Sequence, residues 1–324
     1  MKVNKLNDLD GSNWLRLTKS WWAPSGKWMG HLDIENSWWE TNYPIDPTHR
    51  VRSYIGCAKP PSVARDLTMM FTKRKEWVLD TFAGTGGLIL GAALADRRCI
   101  ASDINQQHLD VIRKIKDKFV IADEEYTEAI NRRVKKGKKT VTETVNVDIW
   151  EPTFYPKEGR KDTNDRKIKI KIESGNYLDV MDSFDNNSID FIIIDPPYGI
   201  DHAVKFDEAS KMEGMASDDA NDIGNLQSMQ QFHGAMLSWA KEAHRILKNG
   251  KYAVVFMGDR YMNSEYVPLG WTVSQVIKTA GFKLKGVCPW RNKTTQRPLK
   301  PYAVGQTYVP NIIHQYFIVL KKED

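Results

Sequence analysis

A short apolar strand runs into a glycine-rich turn and then a helix between residues 78 and 95. Residues 78–87 read Val-Leu-Asp-Thr-Phe-Ala-Gly-Thr-Gly-Gly, and the helix-like segment Leu88–Ala95 follows. Glycines let backbone N–H groups approach a ligand closely. A dinucleotide-binding turn needs another glycine at position 89, where this chain has Ile89, so the turn does not predict an NAD site. It indicates an open α/β sheet with a ligand at the carboxyl end of a strand.

The next apolar segment, Cys99–Ser102, is predicted to be a second strand and is followed by Asp103. A carboxylate in that place can accept hydrogen bonds from both hydroxyls of a ribose. Together with the glycine-rich turn, Asp103 indicates a cofactor that contains a nucleoside.

A further apolar run, Ile189–Ile194, leads directly into Asp195-Pro196-Pro197-Tyr198. The prolines lack N–H groups and fix φ, so the turn is stiff and its carbonyl groups are free to face a ligand. The Asp195 carboxylate and the Pro196 carbonyl can accept hydrogen bonds from one exocyclic amino group, while the Tyr198 ring stacks on the base. The alternative is an ordinary strand that ends in a proline turn.

These motifs resemble those of the S-adenosylmethionine-dependent amino-methyltransferases, which methylate adenine N6 or cytosine N4 in DNA and guanine N2 in some RNAs. The resemblance covers roughly residues 50–320. It implies S-adenosylmethionine as the cofactor, with Phe82–Gly86 as the methionine-binding loop and Asp103 as the ribose-binding acid. It also implies a catalytic turn made of Asp195, Pro196, Pro197 and Tyr198.

The resemblance extends to residues before and after the glycine-rich turn. Lys59 lies in a Lys-Pro loop that resembles the family's additional cofactor-side motif, although an ordinary start of a helix is the alternative. Asn176 stands where many relatives have Asp to read the adenine amino group, and its carbonyl can still accept. The expected cofactor-binding residues are Lys59, Asp80, Phe82, Ala83, Gly84, Thr85, Gly86, Asp103, Ile104, Asn176 and Tyr177.

We expect an α/β fold: a doubly wound, Rossmann-like methyltransferase sheet with an antiparallel C-terminal hairpin and insertions. Residues 1–50 are predicted to be a tryptophan-rich extension, and 51–324 the methyltransferase domain, with a basic insertion at about 120–165 and an active-site loop at about 199–227. Apolar spacing in the C-terminal part predicts helices over 232–247 and 273–280 and strands over 252–257, 282–288 and 315–320.

Composition bears on the partners of the protein and on its cellular location. The net charge of +6 and the pI near 9.0 suit a polyanionic partner, although an excess of this size discriminates little by itself. The three cysteines form no Cys-x-x-Cys pair, which argues against zinc and a disulfide framework. No apolar run reaches the roughly 18 residues of a membrane span, and the first residues lack a signal-peptide apolar region. We expect a cytoplasmic protein, monomeric or homodimeric, with no metal and no membrane association.

Basic and aromatic residues are the candidates for contact with nucleic acid. Residues 131–139 hold six basic residues and no acid, and we assign Lys135 and Lys136 to phosphate contacts, with a solvated loop as the alternative. Phe206 and Trp290 are candidates to stack on an extruded base, or else to pack in the loop or the core. Arg291 is expected to face a phosphate backbone. The tryptophans of the N-terminal extension suit either a stacking platform for bases or a cap on the core.

The preferred reaction is methylation of adenine N6 in DNA, because Asp at position 195 leans toward adenine and Ser is frequent in cytosine-N4 relatives. The base is expected to leave the duplex and to be methylated directly, without a covalent enzyme intermediate. Three alternatives stay open: cytosine-N4 methylation of DNA, guanine-N2 methylation of tRNA, and a non-catalytic nucleic-acid-binding subunit with a methyltransferase fold. DNA is therefore the expected partner, with RNA as the alternative.

Overall fold

The computed structural model describes residues 6–9, 59–136, 139–198, 219, 221–226, 228–262, 264–291, 312 and 314–323. Three sequence predictions fall outside these ranges: the role of Phe206, most of the active-site loop at 199–227, and the role of the N-terminal tryptophans. The side chains of Lys135, Lys136 and Arg291 also lie outside the description, which covers their backbone in strands.

Helices and strands alternate along most of the described chain. In chain order they are α1 (Pro61–Phe71), β1 (Trp77–Asp80), α2 (Gly87–Leu94), β2 (Arg98–Asp103), α3 (Gln106–Lys118), β3 (Phe119–Lys136), β4 (Lys139–Pro156), β5 (Arg166–Lys167), β6 (Ile170–Ser174), α4 (Tyr177–Asp182), β7 (Ile189–Ile194), a 3₁₀ turn (Ile223–Asn225), α5 (Met229–Ile246), β8 (Leu247–Met257), β9 (Arg260–Met262), β10 (Glu265–Val267), α6 (Leu269–Lys278), β11 (Lys283–Arg291) and β12 (His314–Lys321).

The central sheet has seven strands in the order β11-β12-β8-β7-β1-β2-β6. The five strands from β8 to β6 run parallel, and β12 is antiparallel to both β8 and β11. The chain winds outward from β1 in both directions, so the crevice at the carboxyl ends of β1 and β7 is the topological switch point of the sheet. The predicted doubly wound fold with an antiparallel C-terminal hairpin is confirmed.

Helices cover both faces of this sheet. Every residue of β7 is buried, and its alternate side chains point to opposite faces: Phe191 and Ile193 enter the core under α1, α2 and α3, whereas Ile192 and Ile194 enter the core under α4, α5 and α6. Burial on both faces explains the apolar run Phe191–Ile194 before Asp195. Asp190, near the start of the strand, is also buried and accepts from Lys248 at 2.8 Å.

The C-terminal elements lie close to their predicted positions. Helices α5 and α6 and strands β8, β11 and β12 correspond to the predicted segments. The helix α5 ends at Ile246 and β8 begins at Leu247, earlier than predicted, because Leu247 already pairs with Ile189 of β7. Among the described helices, none is both long and apolar enough to cross a membrane.

The basic insertion contains a long β-hairpin. Strands β3 and β4 pair in continuous register from Phe119–Pro156 to Lys136–Lys139 and form a small separate sheet with β5. Eighteen residues of extended strand span about 60 Å. The hairpin is anchored at its base by buried Ile121 and Phe154, whereas the side chains of residues 123–127 are exposed. The β3–β4 hairpin therefore projects from the sheet.

Candidate active site

The turn between β1 and α2 is shaped by two glycines. Gly84 has φ +49 and Gly86 has φ +96, values that favour glycine because other residues lack room for Cβ. The N–H of Gly86 donates to the carbonyl of Ala83 at 2.7 Å, and the Gly86 carbonyl accepts from Leu90 at 2.8 Å. A Cβ placed on Gly84 would meet nothing within 4 Å. The turn thus leaves open space over its backbone at the start of a helix.

Asp103 ties this turn to the end of β2. One carboxylate oxygen accepts from the N–H of Gly84 at 2.7 Å, and the other accepts from the N–H of Asn105 at 2.8 Å. The Nδ1 of His108 lies 3.4 Å from the second oxygen. Each carboxylate oxygen can accept more than one hydrogen bond, so Asp103 can still receive ribose hydroxyls. Ile104, which follows it, is half-buried.

Asp80 is the last residue of β1, directly before this turn, and none of its surface is exposed. One oxygen accepts from the N–H of Phe82 at 3.1 Å, and the other has no hydrogen-bond partner. Burial, joined by the charges of Asp103 and Asp195, raises the pKa of Asp80 well above the usual range for aspartic acid. The uncharged acid is therefore favoured at this position. Asp80 holds the β1–α2 turn rather than facing the open cleft.

The end of β6 supplies Asn176 and Tyr177. The Asn176 side chain caps α4 by accepting from the N–H of Leu178 at 2.9 Å. The ring of Tyr177 lies 5.1 Å from that of Phe82, and burial raises the pKa of Tyr177 to about 12. These contacts bring the predicted residues of the first and third parallel strands together, beside Ala83 and Thr85, which are both buried.

The Asp195–Tyr198 turn follows β7 immediately. The Tyr198 hydroxyl donates to one Asp195 oxygen at 3.1 Å, and Gln315 Nε2 donates to that hydroxyl at 2.9 Å. The Asp195 side chain is 20% exposed, so the carboxylate remains open to the cleft. Gln315 comes from β12, near the other end of the chain, and was not predicted from the sequence.

Lys59, which the sequence predicts to lie on the cofactor side of the site, contacts the Asp195–Tyr198 turn. Its ammonium group pairs with the second oxygen of Asp195 while only 7% of the Lys59 side chain is exposed. The ring of Phe256 lies 5.9 Å from the same ammonium. The predicted cofactor-side loop and the predicted catalytic turn are therefore in direct contact. Loss of one partner would leave a charge with little access to water.

Two further residues next to Tyr198 escaped the sequence reasoning. A Cβ placed on Gly258, just after β8, would lie 3.3 Å from Cε2 of Tyr198. The guanidinium carbon of Arg260 lies 5.5 Å from the centre of the Tyr198 ring. The local sequence signal for Gly258 is a glycine that follows an apolar strand. This pattern is too common to identify a site residue.

Trp290 is not at this site. Its ring is 2% exposed and packs in the core, stacked on Phe317 at 5.7 Å and edge-on to Phe256 at 5.9 Å. The expectation that Trp290 stacks on a base is wrong, because the ring has no face open to a ligand; the core alternative is the correct one. Its neighbour Arg291 ends β11 and pairs with His314.

The described residues hold no group of three or more histidine, cysteine or acidic side chains placed to bind a metal ion. Cys99 is buried, and burial raises the pKa of its thiol.

The sequence matches the N6/N4 family of DNA methylases over residues 11–114 and 189–324, which is well over half of the chain. The chain belongs to this family. The assignment confirms the S-adenosylmethionine-dependent amino-methyltransferase family that the motifs predicted. The two matched segments contain the glycine-rich turn, Asp103 and the Asp195–Tyr198 turn. The unmatched stretch between them contains the β3–β4 hairpin.

The Type II methyltransferase M2.MboI of Moraxella bovis is 26% identical to this methylase over 148 residues, which are 46% of this chain and 45% of the relative. The chain thus spans less than half of that relative's length. Among solved structures, one is TTHA0409 of Thermus thermophilus, described as a DNA modification methylase and complexed with S-adenosyl-L-methionine. It is 17% identical to this chain, covers 46% of this chain and 54% of its own, and has a TM-score of 0.32. A Methanosarcina mazei S-adenosylmethionine-dependent methyltransferase is 12% identical, with 77% and 93% covered and a TM-score of 0.41.

Proposed function

We propose that this protein transfers a methyl group from S-adenosylmethionine to an exocyclic amino group of a DNA base, with adenine N6 as the preferred target. The observation that carries the proposal is the position of the Asp195–Tyr198 turn at the switch point of the sheet, beside the β1–α2 turn. Membership of a family of DNA methylases supports a DNA substrate.

The residues at the switch point fit the cofactor. The open space over Gly84 suits the methionine part, and Asp103 is the acceptor for the ribose hydroxyls. Asn176 and Tyr177 suit the adenine side, with Phe82, Ala83, Thr85, Gly86 and Ile104 completing the wall. When bound, S-adenosylmethionine supplies an electrophilic methyl group.

The catalytic turn would act mainly through position and charge. Asp195 and the Pro196 carbonyl accept hydrogen bonds from the amino group, which fixes the direction of its nitrogen lone pair. The Asp195 carboxylate also stabilises positive charge that develops on that nitrogen. Tyr198 stacks on the base and is held in place by Gln315. Lys59 fixes the second oxygen of Asp195, so the carboxylate has a single orientation before substrate arrives.

DNA contact is proposed for the β3–β4 hairpin. Its turn-proximal half carries the basic run of 131–139, including Lys135 and Lys136, and phosphate binding by such residues depends on salt rather than on sequence. A two-stranded ribbon has the width that a DNA major groove admits. Phe206 and Arg291 remain predicted substrate contacts. The predicted cytoplasmic location and the monomeric or homodimeric state remain predictions as well.

The test is methyl transfer from labelled S-adenosylmethionine to duplex DNA, single-stranded DNA and bulk tRNA, with the modified nucleosides identified by mass spectrometry. We expect N6-methyladenine in DNA. In Asp195→Ala, transfer should fall by at least about 100-fold, because one preorganised group at the reacting atom is lost, while cofactor binding by calorimetry survives. Asp110→Asn, which changes an exposed carboxylate on α3, is the matched control and should behave as the wild type.

N4-methylcytosine would keep the mechanism and correct the base. N2-methylguanine in tRNA, or undiminished transfer by Asp195→Ala, would contradict the proposal. Cofactor binding without transfer to any substrate would favour the non-catalytic subunit.

A further inference from the structure

The short hairpin of β9 and β10 stands directly after the carboxyl end of β8, next to the catalytic turn. Its base is fixed by the buried carboxylate of Asp259. One oxygen of Asp259 accepts from the N–H of Gly270 at 3.0 Å, and the other accepts from the hydroxyls of Tyr316, at 2.7 Å, and Tyr266. Four separate parts of the chain therefore meet at one carboxylate, which gives the hairpin a defined position.

Arg260 is the first residue of this hairpin and follows Asp259 in the chain. Its guanidinium group lies 5.5 Å from the centre of the Tyr198 ring, within the range of a cation–π contact. Arg260 is half-buried, so it packs against the ring and also reaches solvent. The anchored hairpin thus holds a positive charge at the rim of the proposed base pocket.

Acidic residues in the surrounding cleft explain why a positive charge at the Arg260 position would help a nucleotide to bind. Asp103 is the last residue of β2 and Asp195 follows β7, so both carboxylates lie at the same edge of the sheet. Lys59 is buried against Asp195, so its charge is directed to that carboxylate rather than to the rim. A nucleotide that enters the cleft brings its phosphates close to these two carboxylates, and a cation at the rim offsets the repulsion between like charges.

We propose that Arg260 binds a phosphate next to the extruded nucleotide, and that its contact with Tyr198 links the position of that phosphate to the position of the base. The guanidinium fork suits a phosphate, which it can bind through two parallel hydrogen bonds. The inference rests on the proposed function and adds a substrate-binding residue to the same site.

The test compares Arg260→Ala and Arg260→Lys with the wild type on a duplex that the wild type methylates. For Arg260→Ala we expect the KM for DNA to rise about 10-fold or more and the slope of log affinity against log salt to decrease by about 1, with S-adenosylmethionine affinity unchanged. Arg260→Lys keeps the charge, so it should keep most of the salt slope. Arg98→Ala is the matched control: that guanidinium lies 5.6 Å from the Trp77 ring, and Arg98 begins β2 at the opposite edge of the sheet.

A second arm identifies the phosphate. Duplexes with neutral methylphosphonates at single positions around the target should weaken binding by the wild type at one position, and the same replacement should have little effect on Arg260→Ala. An unchanged KM and salt slope in Arg260→Ala would overturn the inference, as would a loss confined to cofactor affinity. If the wild type itself neither binds nor methylates DNA, the proposed function fails first, and this result is distinct from failure of Arg260 alone.

Discussion

Replacement of Gly87 by alanine tests whether the close approach of α2 to Lys59 sets the geometry of Asp195, the proposed catalytic carboxylate. A Cβ placed on Gly87 would lie 2.3 Å from the carbonyl oxygen of Lys59 and 3.0 Å from its nitrogen. Carbon and oxygen atoms approach to about 3.3 Å even in close contacts, so the Lys59 backbone must retreat by roughly 1 Å. The Lys59 ammonium is paired with Asp195, so the displacement reaches the proposed catalytic turn.

Two magnitudes follow from this overlap. The free energy of unfolding should fall by roughly 1–3 kcal/mol, the usual cost of an extra carbon in a well-packed region. The kcat for methyl transfer should fall by about 100-fold, because a misplacement of 1 Å near a reacting group has an effect of this order. The loss in kcat should exceed any loss in the fraction of folded protein at the assay temperature.

Gly234→Ala is the matched control, because Gly234 lies inside α5 and a Cβ there would meet nothing within 4 Å. It should raise the free energy of unfolding by about 0.5–1 kcal/mol through helix propensity and leave kcat unchanged. Urea unfolding and methyl transfer on the same preparations measure both quantities. A Gly87→Ala protein with wild-type kcat and wild-type stability would refute the argument that this contact positions Lys59.

Two further substitutions test the site from other directions. Gly258→Ala would place a Cβ 3.3 Å from the Tyr198 ring, so we expect kcat to fall about tenfold while the free energy of unfolding changes by less than about 1 kcal/mol; equal kcat values for the two proteins would contradict a tight fit around Tyr198. Asp80→Asn keeps the acceptor for Phe82 but cannot ionise. Because burial raises the folded-state pKa of Asp80, the wild type should lose stability as pH rises from the usual aspartic acid range toward that raised pKa, and the asparagine variant should not. Unfolding measured across this range should show the stability difference growing with pH in favour of asparagine, and a constant difference would count against an energetic cost of charging Asp80.

The sequence by itself determined the parts of this protein that are contiguous. Local residues specify two such segments: the strand, glycine turn and helix over 78–95, and the strand that leads into Asp195–Tyr198. Apolar residues favour a buried strand, glycine allows positive φ, and proline makes a turn stiff. The order of these segments then predicts the sheet, because parallel strands with covering helices have few ways to connect.

Only the tertiary structure decided which distant residues meet at the site. Lys59 and Asp195 are separated by 136 positions, and Gln315 and Tyr198 by 117, and no local pattern signals either contact. The same limit explains the error at Trp290. Successive residues of a strand face opposite sides of a sheet, so its register decides whether an aromatic ring faces a ligand or the core. Trp290 pairs with Gln315 of β12, and its ring packs against Phe256 and Phe317. No sequence feature near position 290 specifies this pairing with β12.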